Sequence, residues 1–408
     1  MMRSMFAAVS GLRSHQVMAD VIGNNIANVN TTGFKSSRVE FADTMSQLMQ
    51  AGSLATSAAA NVNPTQIGLG VKVAATQLSQ TPGAAQVTNQ TTDVAIQGDG
   101  FFVVRMENEQ LYSRAGSFRF DALGRLANPS GGLVQGWLID PATNEINSNA
   151  PLTDIEVPTS STIEPQITTE VVYGGNMSAV AAVGDPPAES VIEVVDGQGV
   201  PHKVSLSFEK TAIDQWTLTM TDVAGGGVIN TTTLDFDPAN GQLVAPPAPF
   251  PVTFTTPNGE NIVFDLDLTQ TTQYGTPTDP RLISSDGSEA GSLRGFAIDA
   301  NGIISGVFSN GETRDLAQLA LAAFSNPNGL GAEGDTVFRS TLASGDATVG
   351  AAGTSGRGLL AAGQVEASNV ELALEFTNLI IAQRGFQANS RVITTSDEMI
   401  QELVNLTR

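Results

Sequence analysis

The sequence predicts a multidomain protein in which two terminal α-helices form a coiled-coil-like pair and the middle of the chain folds into two all-β domains. At both ends, apolar residues recur three and four positions apart, which is the spacing of one helical face. Between the ends the apolar period changes to two, which is typical of strands. A strongly acidic segment interrupts this β region, so we expect one β domain to be inserted into another, discontinuous one.

Each terminal helix is expected to carry one apolar seam. The stripe of the first helix runs from Met2 to Ile26 and is interrupted at Gln16 and Gly23. A helix with a single apolar seam needs another helix to cover it. The chain ends therefore meet each other or copies of themselves, with ordinary core helices as the alternative. The residues expected to carry this packing are Met5, Val9, Leu12, Ile26, Leu372, Phe376, Leu379, Phe386, Ile393, Ile400 and Val404.

An asparagine-rich turn is expected to follow the first helix, so that residues 1–36 hold both. Residues 24–35 read NNIANVNTTGFK, and short polar side chains of this kind compete with the backbone for hydrogen bonds. We therefore expect the helix to end abruptly there. The residues expected to shape the exit from the helix are Asn24, Asn25, Asn28, Asn30, Gly33 and Phe34.

A linker is expected over residues 37–70. Phe41, Met45, Leu48 and Met49 fit one helical face, and a run of Ala, Ser and Asn follows them. This pattern predicts a short helix followed by a loop.

The discontinuous β domain is expected to comprise residues 71–145 and 285–363, with the C-terminal helix over residues 364–408. Its short strands, such as Phe101–Val104, alternate with glycine turns, such as Asp121–Gly124. Short strands separated by turns indicate an antiparallel β domain.

The acidic insert is expected over residues 146–284. It holds 17 acidic and only three basic residues, and so carries −14 of the net charge of −22. Polar and apolar residues alternate in Val204–Phe208 and Trp216–Met220, and Pro257–Glu260 is a hairpin signal. We expect a second all-β domain, a sandwich or a barrel, that faces water.

Composition argues against several classes of function. An excess of 41 acidic over 19 basic residues disfavours nucleic acid and anionic membranes as partners. No apolar run approaches the ~20 residues of a membrane span, and no signal-peptide core with a cleavage site is evident. The chain has no cysteine and two histidines, His15 and His202, which disfavours a metal site or a catalytic triad. We expect no cofactor, no metal and no enzymatic activity.

Three blocks of the sequence resemble the flagellar rod and hook family. They are NNIANVNTTGFK at 24–35, DVAIQGDGFFVV at 93–104, and a tail that begins FTNL at 376 and contains AQRGFQANSR at 382–391. They stand in the order of the family and together cover about a third of the chain. The resemblance implies terminal helices on the inside of an assembly, then the discontinuous β domain, and the insert outermost.

The resemblance also implies a function. Within the family, a length of 408 residues favours a hook subunit over a distal rod protein, because it leaves room for an additional domain. Such a subunit assembles with itself into a bendable helical tube that transmits motor torque. Its implied partners are the distal rod, hook cap and hook–filament junction proteins and the export apparatus. It is expected in the extracellular part of the flagellum, exported without a cleaved signal peptide.

Two alternatives from other classes stay open at this point. The β insert is compatible with a secreted carbohydrate-binding or carbohydrate-active protein, although two tryptophans and three tyrosines are few for a sugar cleft. A monomeric adhesin or cap is the other alternative, and it leaves the apolar seams at the two ends without a role.

Overall fold

The computed structural model describes residues 2–52, 63–140, 145–157, 162–256 and 259–406. The chain divides into two compact units. The first unit comprises Met1–Pro158, Ala297–Ser305 and Asp315–Arg408. The second unit comprises Thr159–Phe296 and Gly306–Arg314.

The secondary structure is two long helices and many short strands. The helices are α1 (Met2–Ala27) and α2 (Leu372–Leu406). The strands up to residue 158 are β1 (Ser37–Asp43), β2 (Ser46–Gln50), β3 (Thr65–Gly68), β4 (Val71–Leu78), β5 (Ala85–Val87), β6 (Val94–Gln97), β7 (Phe101–Met106), β8 (Glu109–Ser113), β9 (Arg119–Phe120), β10 (Leu126–Ala127), β11 (Leu133–Asp140), β12 (Glu145–Ile146) and β13 (Thr153–Asp154).

The strands of the middle of the chain are β14 (Thr162–Ile163), β15 (Glu170–Asn176), β16 (Ala188–Val195), β17 (Pro201–Ala212), β18 (Gln215–Asp222), β19 (Val228–Phe236), β20 (Leu243–Ala245), β21 (Phe250–Thr255), β22 (Asn261–Thr272), β23 (Asp279–Ser285) and β24 (Gly291–Ile298). Those that follow are β25 (Ile303–Phe308), β26 (Thr313–Leu319), β27 (Leu321–Ala323), β28 (Gly331–Gly334), β29 (Val337–Arg339), β30 (Thr348–Gly350), β31 (Leu359–Ala362) and β32 (Gln364–Glu366). A short 3-10 helix spans Pro327–Gly329.

The expected short helix after residue 37 is wrong, because this segment forms strands. β1 pairs antiparallel with β4, and β2 pairs antiparallel with β3. Phe41 lies in β1, whereas Leu48 and Met49 lie in β2 and Met45 just precedes it. An apolar run this short fits both the helical period of 3.6 residues and the strand period of two. Pairing with a later segment of the chain decides that it forms strands. The loop expected after it falls largely on residues 53–62, outside the described residues.

The core of the first unit is an antiparallel sheet in which β7 is central. β7 pairs with β8, β11 and β27, and its residues Phe101–Val104 are all buried, as their apolar run predicts. Phe101 packs edge-to-face with Phe324 and Phe338. The indole nitrogen of Trp137 donates to the backbone oxygen of Ala150 at 2.9 Å, so this large side chain is held at both its apolar and its polar end.

Two separate pairs of short strands join residues 85–97 to residues 359–366, which precede α2. β6 pairs with β31, and β5 pairs with β32. Residues 364–366 are therefore a strand, which corrects the expected start of the C-terminal helix at 364: α2 begins at Leu372. The compact units divide the chain at other positions than the predicted domain limits. A division into compact units does not test those limits, which stay a prediction.

The second unit is a β-sandwich, in agreement with the predicted all-β fold. Strands β16–β20 form a five-stranded sheet in chain order, and the other sheet has the order β21-β22-β15-β23. Residues of both sheets share one hydrophobic core, and burial alternates strictly along β18. The expected hairpin joins β21 to β22, with Phe254 opposite Ile262. Pro257 and Asn258 of its turn lie outside the described residues.

A buried contact between His202 and Asp196 stabilises one turn of the second unit. His202 Nε2 lies 3.0 Å from Asp196 Oδ2, while Asp196 Oδ1 accepts hydrogen bonds from the amides of Gln198 and Val200. Burial opposes ionisation of Asp196, but the hydrogen bonds from His202, Val200 and Gln198 hold its pKa below the ordinary value. The carboxylate therefore contributes stability above its unfolded pKa of about 3.9, and that contribution is lost as pH falls through the lower folded value.

We expect Asp196→Ala to lower the free energy of unfolding of the second unit by about 2 kcal/mol at neutral pH, because it removes hydrogen bonds to a charged acceptor. The difference from wild type should shrink as pH falls below about 4, because the unfolded chain then takes up a proton at Asp196 that the folded wild-type protein binds only at lower pH. The free energy of unfolding is measured by urea titration, with the fluorescence of Trp216 as the signal in a Trp137→Phe background. Glu193→Ala is the matched control, since its exposed ion pair with Lys203 contributes little. If the difference in unfolding free energy between wild type and Asp196→Ala did not change with pH, the stabilising role of the ionised Asp196 carboxylate would be contradicted.

Candidate self-assembly surface

The two terminal helices pack against each other in antiparallel orientation, which confirms the predicted pair. Near the end of α1, Asn25 Nδ2 donates a hydrogen bond to Glu375 Oε1 at 3.0 Å, close to the start of α2. Further along, His15 of α1 lies against Gly385 of α2. The partner's number rises as the number along α1 falls, so the helices run in opposite directions.

Apart from Ile22, the buried residues of the two helices are small or polar. In α1 they are Ala8, Gly11, Ser14, Ile22 and Asn25, and in α2 they are Glu375, Ala382 and Ser396. In α1 the buried positions are displaced by about one residue from the predicted stripe. The glycines explain the close approach. A Cβ built on Gly385 would lie 2.5 Å from the His15 ring, and one built on Gly11 would lie 2.6 Å from Asn389 Nδ2.

The predicted apolar residues lie beside this contact and not at its centre. Met5, Val9, Leu12, Ile26, Leu379, Ile393 and Ile400 are half-buried. Leu372, Phe376, Phe386 and Val404 remain 40%, 51%, 45% and 60% exposed, respectively. The structure therefore leaves these side chains available for other contacts, and their role between copies stays a prediction.

The exposed apolar surface extends along the whole of α2. Its members are Leu372, Leu374, Phe376, Ile380, Ile381, Phe386, Val392, Met399, Leu403, Val404 and Leu406. At 1.5 Å per residue a helix of 35 residues is about 50 Å long. These side chains lie on two flanks of the helix, one with Leu372, Phe376, Ile380, Phe386 and Val404 and the other with Leu374, Ile381, Val392, Met399, Leu403 and Leu406. Exposed large apolar side chains in such number are typical of an interaction surface.

The asparagine-rich turn ends α1 as predicted. Asn28 Nδ2 donates to the backbone oxygen of Asn24, and Asn28 Oδ1 accepts a hydrogen bond from Thr31. Gly33 has φ +71°, and a Cβ there would meet the backbone nitrogen of Ala115 at 2.5 Å. Glycine is needed at this position for its conformation and for this close approach.

Asn25 and Phe34 have different surroundings from the other residues of the turn. Asn25 is buried, and its amide both donates to the oxygen of Ser37 and accepts from the nitrogen of Ser37. Phe34 is half-buried, Asn24 and Asn30 are exposed, and their functional roles stay predictions. Asn25 thus connects the end of α1 with β1 and with α2.

Sequence reasoning missed the residues that set the close contact between the helices. These residues are Gly11, His15, Gly385 and Asn389, and none of them belongs to the apolar stripe that the sequence predicts for its helix. A signal was present nonetheless, because Ala8, Gly11 and His15 repeat at three and four positions. Small residues at that spacing allow close helix packing.

Within the described parts of the chain, no group of three or more His, Asp or Glu residues could hold a metal ion. None of the described helices has the length and apolar character that crossing a bilayer requires. Beside the asparagine-rich turn lies a cleft of about 650 Å³, lined mainly by amide, hydroxyl and apolar side chains.

Paired terminal helices with exposed apolar side chains, joined to a largely β-stranded chain, are typical of a structural protein that packs against other subunits. Family models match in chain order: flagella basal body rod protein over 5–35, flagellar hook protein FlgE/F/G D1 domain over 95–171, flagellar basal body protein FlaE D2 domain over 188–288, and flagellar basal body rod FlgEFG protein C-terminal over 361–406.

Relatives of known name cover the full length. The chain is 36% identical to the flagellar hook protein FlgE of Treponema pallidum, over 100% of both chains, and 35% identical to that of Escherichia coli, over 98% of both. The crystal structure of the Helicobacter pylori flagellar hook protein FlgE2 shares the fold, with a TM-score of 0.52 and 15% identity over 69% of this chain and 98% of that one.

The chain belongs to the flagellar hook protein FlgE family. It is a structural subunit of the flagellar hook, and this function is favoured over a distal rod protein and over a secreted carbohydrate-binding or carbohydrate-active protein.

Gly385→Ala should loosen the contact between α1 and α2, because its Cβ would displace the His15 ring. Gly23→Ala is the matched control, since nothing lies within 4 Å of a Cβ there. Alanine at an open helical position should stabilise the helix by about 1 kcal/mol. Thermal unfolding of the subunit, followed by far-ultraviolet circular dichroism, should therefore shift downward for Gly385→Ala and upward for Gly23→Ala. Equal upward shifts would show that the two helices do not approach closely in solution.

Proposed function

We propose that copies of this chain pack through the exposed apolar surface of α2, together with the flank of α1, and so form a helical tube that bends and transmits motor torque. The observation that carries the proposal is the exposed apolar side chains along α2. Their burial between copies is favourable by about 25 cal/mol per Å² of apolar surface removed from water.

The small-residue contact and the exposed surface have separate roles. Gly11 and Gly385 let the two helices of one chain approach closely, which leaves the larger side chains on the flanks for neighbouring copies. Different faces of one subunit then meet different neighbours. Such heterologous contacts propagate into a helix when they do not close into a ring.

Stiffness and bending are assigned to different parts of the subunit. Continuous helix packing resists torsion, while polar contacts between β units can slide as the tube curves. The second unit, which holds most of the acidic excess, faces water in this arrangement. The subunit acts without a cofactor, a metal or enzymatic activity, and neither nucleic acid nor membrane insertion takes part.

Family membership supports the remaining assignments of this proposal. The tube joins the distal rod, the hook cap and the hook–filament junction proteins. The export apparatus secretes the subunit, without a cleaved signal peptide, and the hook lies outside the cell.

Phe386→Asp should abolish polymerisation while leaving the subunit folded. The side chain is exposed in the subunit, but in the tube a carboxylate there would be buried without a partner, at a cost of several kcal/mol. The secreted variant should accumulate as a monomer, which sedimentation and electron microscopy would show. Unfolding curves should match those of wild type.

Arg391→Asp is the matched control for this variant. It introduces the same group five positions away, about 140° around the helix, at an exposed site whose neighbours three and four positions away are Gln387, Ala388, Thr394 and Thr395. This variant should polymerise. Normal tubes from Phe386→Asp would show that the exposed apolar surface is not the contact between copies.

The acidic charge of the second unit should make tube curvature depend on ionic strength. Repulsion between neighbouring copies is screened over about 8 Å at physiological salt. Replacing the exposed carboxylates in Glu189→Gln, Glu209→Gln and Asp265→Asn should leave tubes whose curvature changes less between low and high salt.

The control for curvature is an equal neutralisation in the first unit, Glu107→Gln, Glu145→Gln and Asp346→Asn. Electron microscopy over a salt series compares both triple variants with wild type. If the two respond alike, the second unit has no particular role in curvature.

A further inference from the structure

A buried cluster of charges lies in the first unit, where both ends of the chain join the β region. It consists of Lys35, Arg114 and Glu366, whose side chains are 0%, 2% and 3% exposed. Lys35 follows α1 by eight positions, and Glu366 precedes α2 by six. We call these three residues the charged clasp.

The clasp ties separate segments to one carboxylate. Lys35 Nζ donates to Glu366 Oε1 at 2.6 Å and to the oxygen of Thr81 at 2.9 Å. The same carboxylate oxygen accepts from the amide of Gly83 at 2.8 Å. Arg114 Nη1 lies 3.7 Å from the other oxygen, Oε2. The segments that precede α2 and follow α1 are therefore held by the same group.

Arg114 anchors the clasp to the β core. Its Nη1 donates to the oxygen of Gly98 at 2.8 Å, and its guanidinium lies 5.0 Å from the centroid of the Phe101 ring. Phe101 belongs to β7, the central strand of the sheet. The clasp is thus connected directly to the central strand of the sheet.

Backbone and amide bonds connect the clasp to both helices. Gly33 donates its amide to the oxygen of Glu366 at 2.8 Å, and the amide of Ser36 donates to Asn369 Oδ1 at 2.7 Å. Asn25 then bridges β1 and Glu375 of α2. A continuous set of bonds therefore runs from the clasp to the paired ends of α1 and α2.

Burying the three charges of the clasp has a cost in free energy, so stability alone does not explain their presence. Two cations and one carboxylate are removed from water, and burial lowers the pKa of Lys35 and of Arg114 while Glu366 opposes both shifts. Apolar residues of similar volume are often as stabilising as a buried ion pair or triad. A directional role explains the charges better than a contribution to stability, since each bond fixes an orientation.

We propose that Lys35, Arg114 and Glu366 are positioning residues that fix the direction in which the paired helices leave the β core, and thereby set the helical geometry of the tube. This inference rests on the proposed polymerisation through the helices. Torque passing between the helices and the β core crosses this junction, so a loose clasp would give tubes of variable twist.

The test replaces the clasp by apolar residues in Lys35→Met, Arg114→Met and Glu366→Leu together. The triple variant should unfold at or above the wild-type midpoint, yet its amides at 28–37 and 367–375 should exchange with solvent about tenfold faster in the soluble subunit. Its tubes should show a spread of twist and rise by electron microscopy. The control is Arg339→Met with Glu109→Met, which removes an exposed ion pair of the same unit and should change neither measurement.

The inference would be overturned if the triple variant showed the amide exchange rates of wild type and formed tubes with the single helical symmetry of wild type. If that variant does not fold, Glu366→Gln decides the matter, since it keeps the acceptor oxygen but removes the charge. It should show faster exchange at the same amides, and unchanged rates would also overturn the inference. Exchange in the soluble subunit does not depend on polymerisation, so failure of the clasp is distinguishable from failure of the apolar surface, which Phe386→Asp tests.

Discussion

The close approach of α1 and α2 is the constraint on which the proposed assembly depends. Gly11 and Gly385 admit the Asn389 and His15 side chains where any larger residue would collide with them. Because small residues occupy this contact, the Phe, Leu and Ile side chains of α2 lie on its flanks and remain exposed. A pair of helices that buried its apolar stripes internally would have little left with which to bind another copy.

Polar contacts give this helix pair its register. The hydrogen bond between Asn25 and Glu375 is buried, and leaving either group unpaired would cost about 1–3 kcal/mol. A shift of one helix along the other would break it and would also move His15 away from Gly385. An apolar seam made only of leucine would tolerate such shifts more easily, as in coiled coils, where a single polar residue specifies register.

The two compact units differ in what holds them together. The second unit has a single sandwich core and a turn fixed by Asp196 and His202, all formed within the middle of the chain. The first unit brings together residues more than 300 positions apart, as in the pairing of Lys35 with Glu366. Its contacts therefore join segments far apart in the sequence, whereas the sandwich core is made from a nearly continuous segment.

The sequence by itself determined the terminal helices, the all-β middle and the family, because their periods and motifs are local patterns. It also determined the end of α1, since Asn28, Thr31 and Gly33 act on the backbone beside them. Only the tertiary structure decided that residues 37–50 are strands, that residues 364–366 pair with β5, and which side of each helix meets the other. These features depend on partners distant in sequence: an apolar stripe shows that a helix face needs covering, but the steric fit at Gly11 and Gly385 decides what covers it.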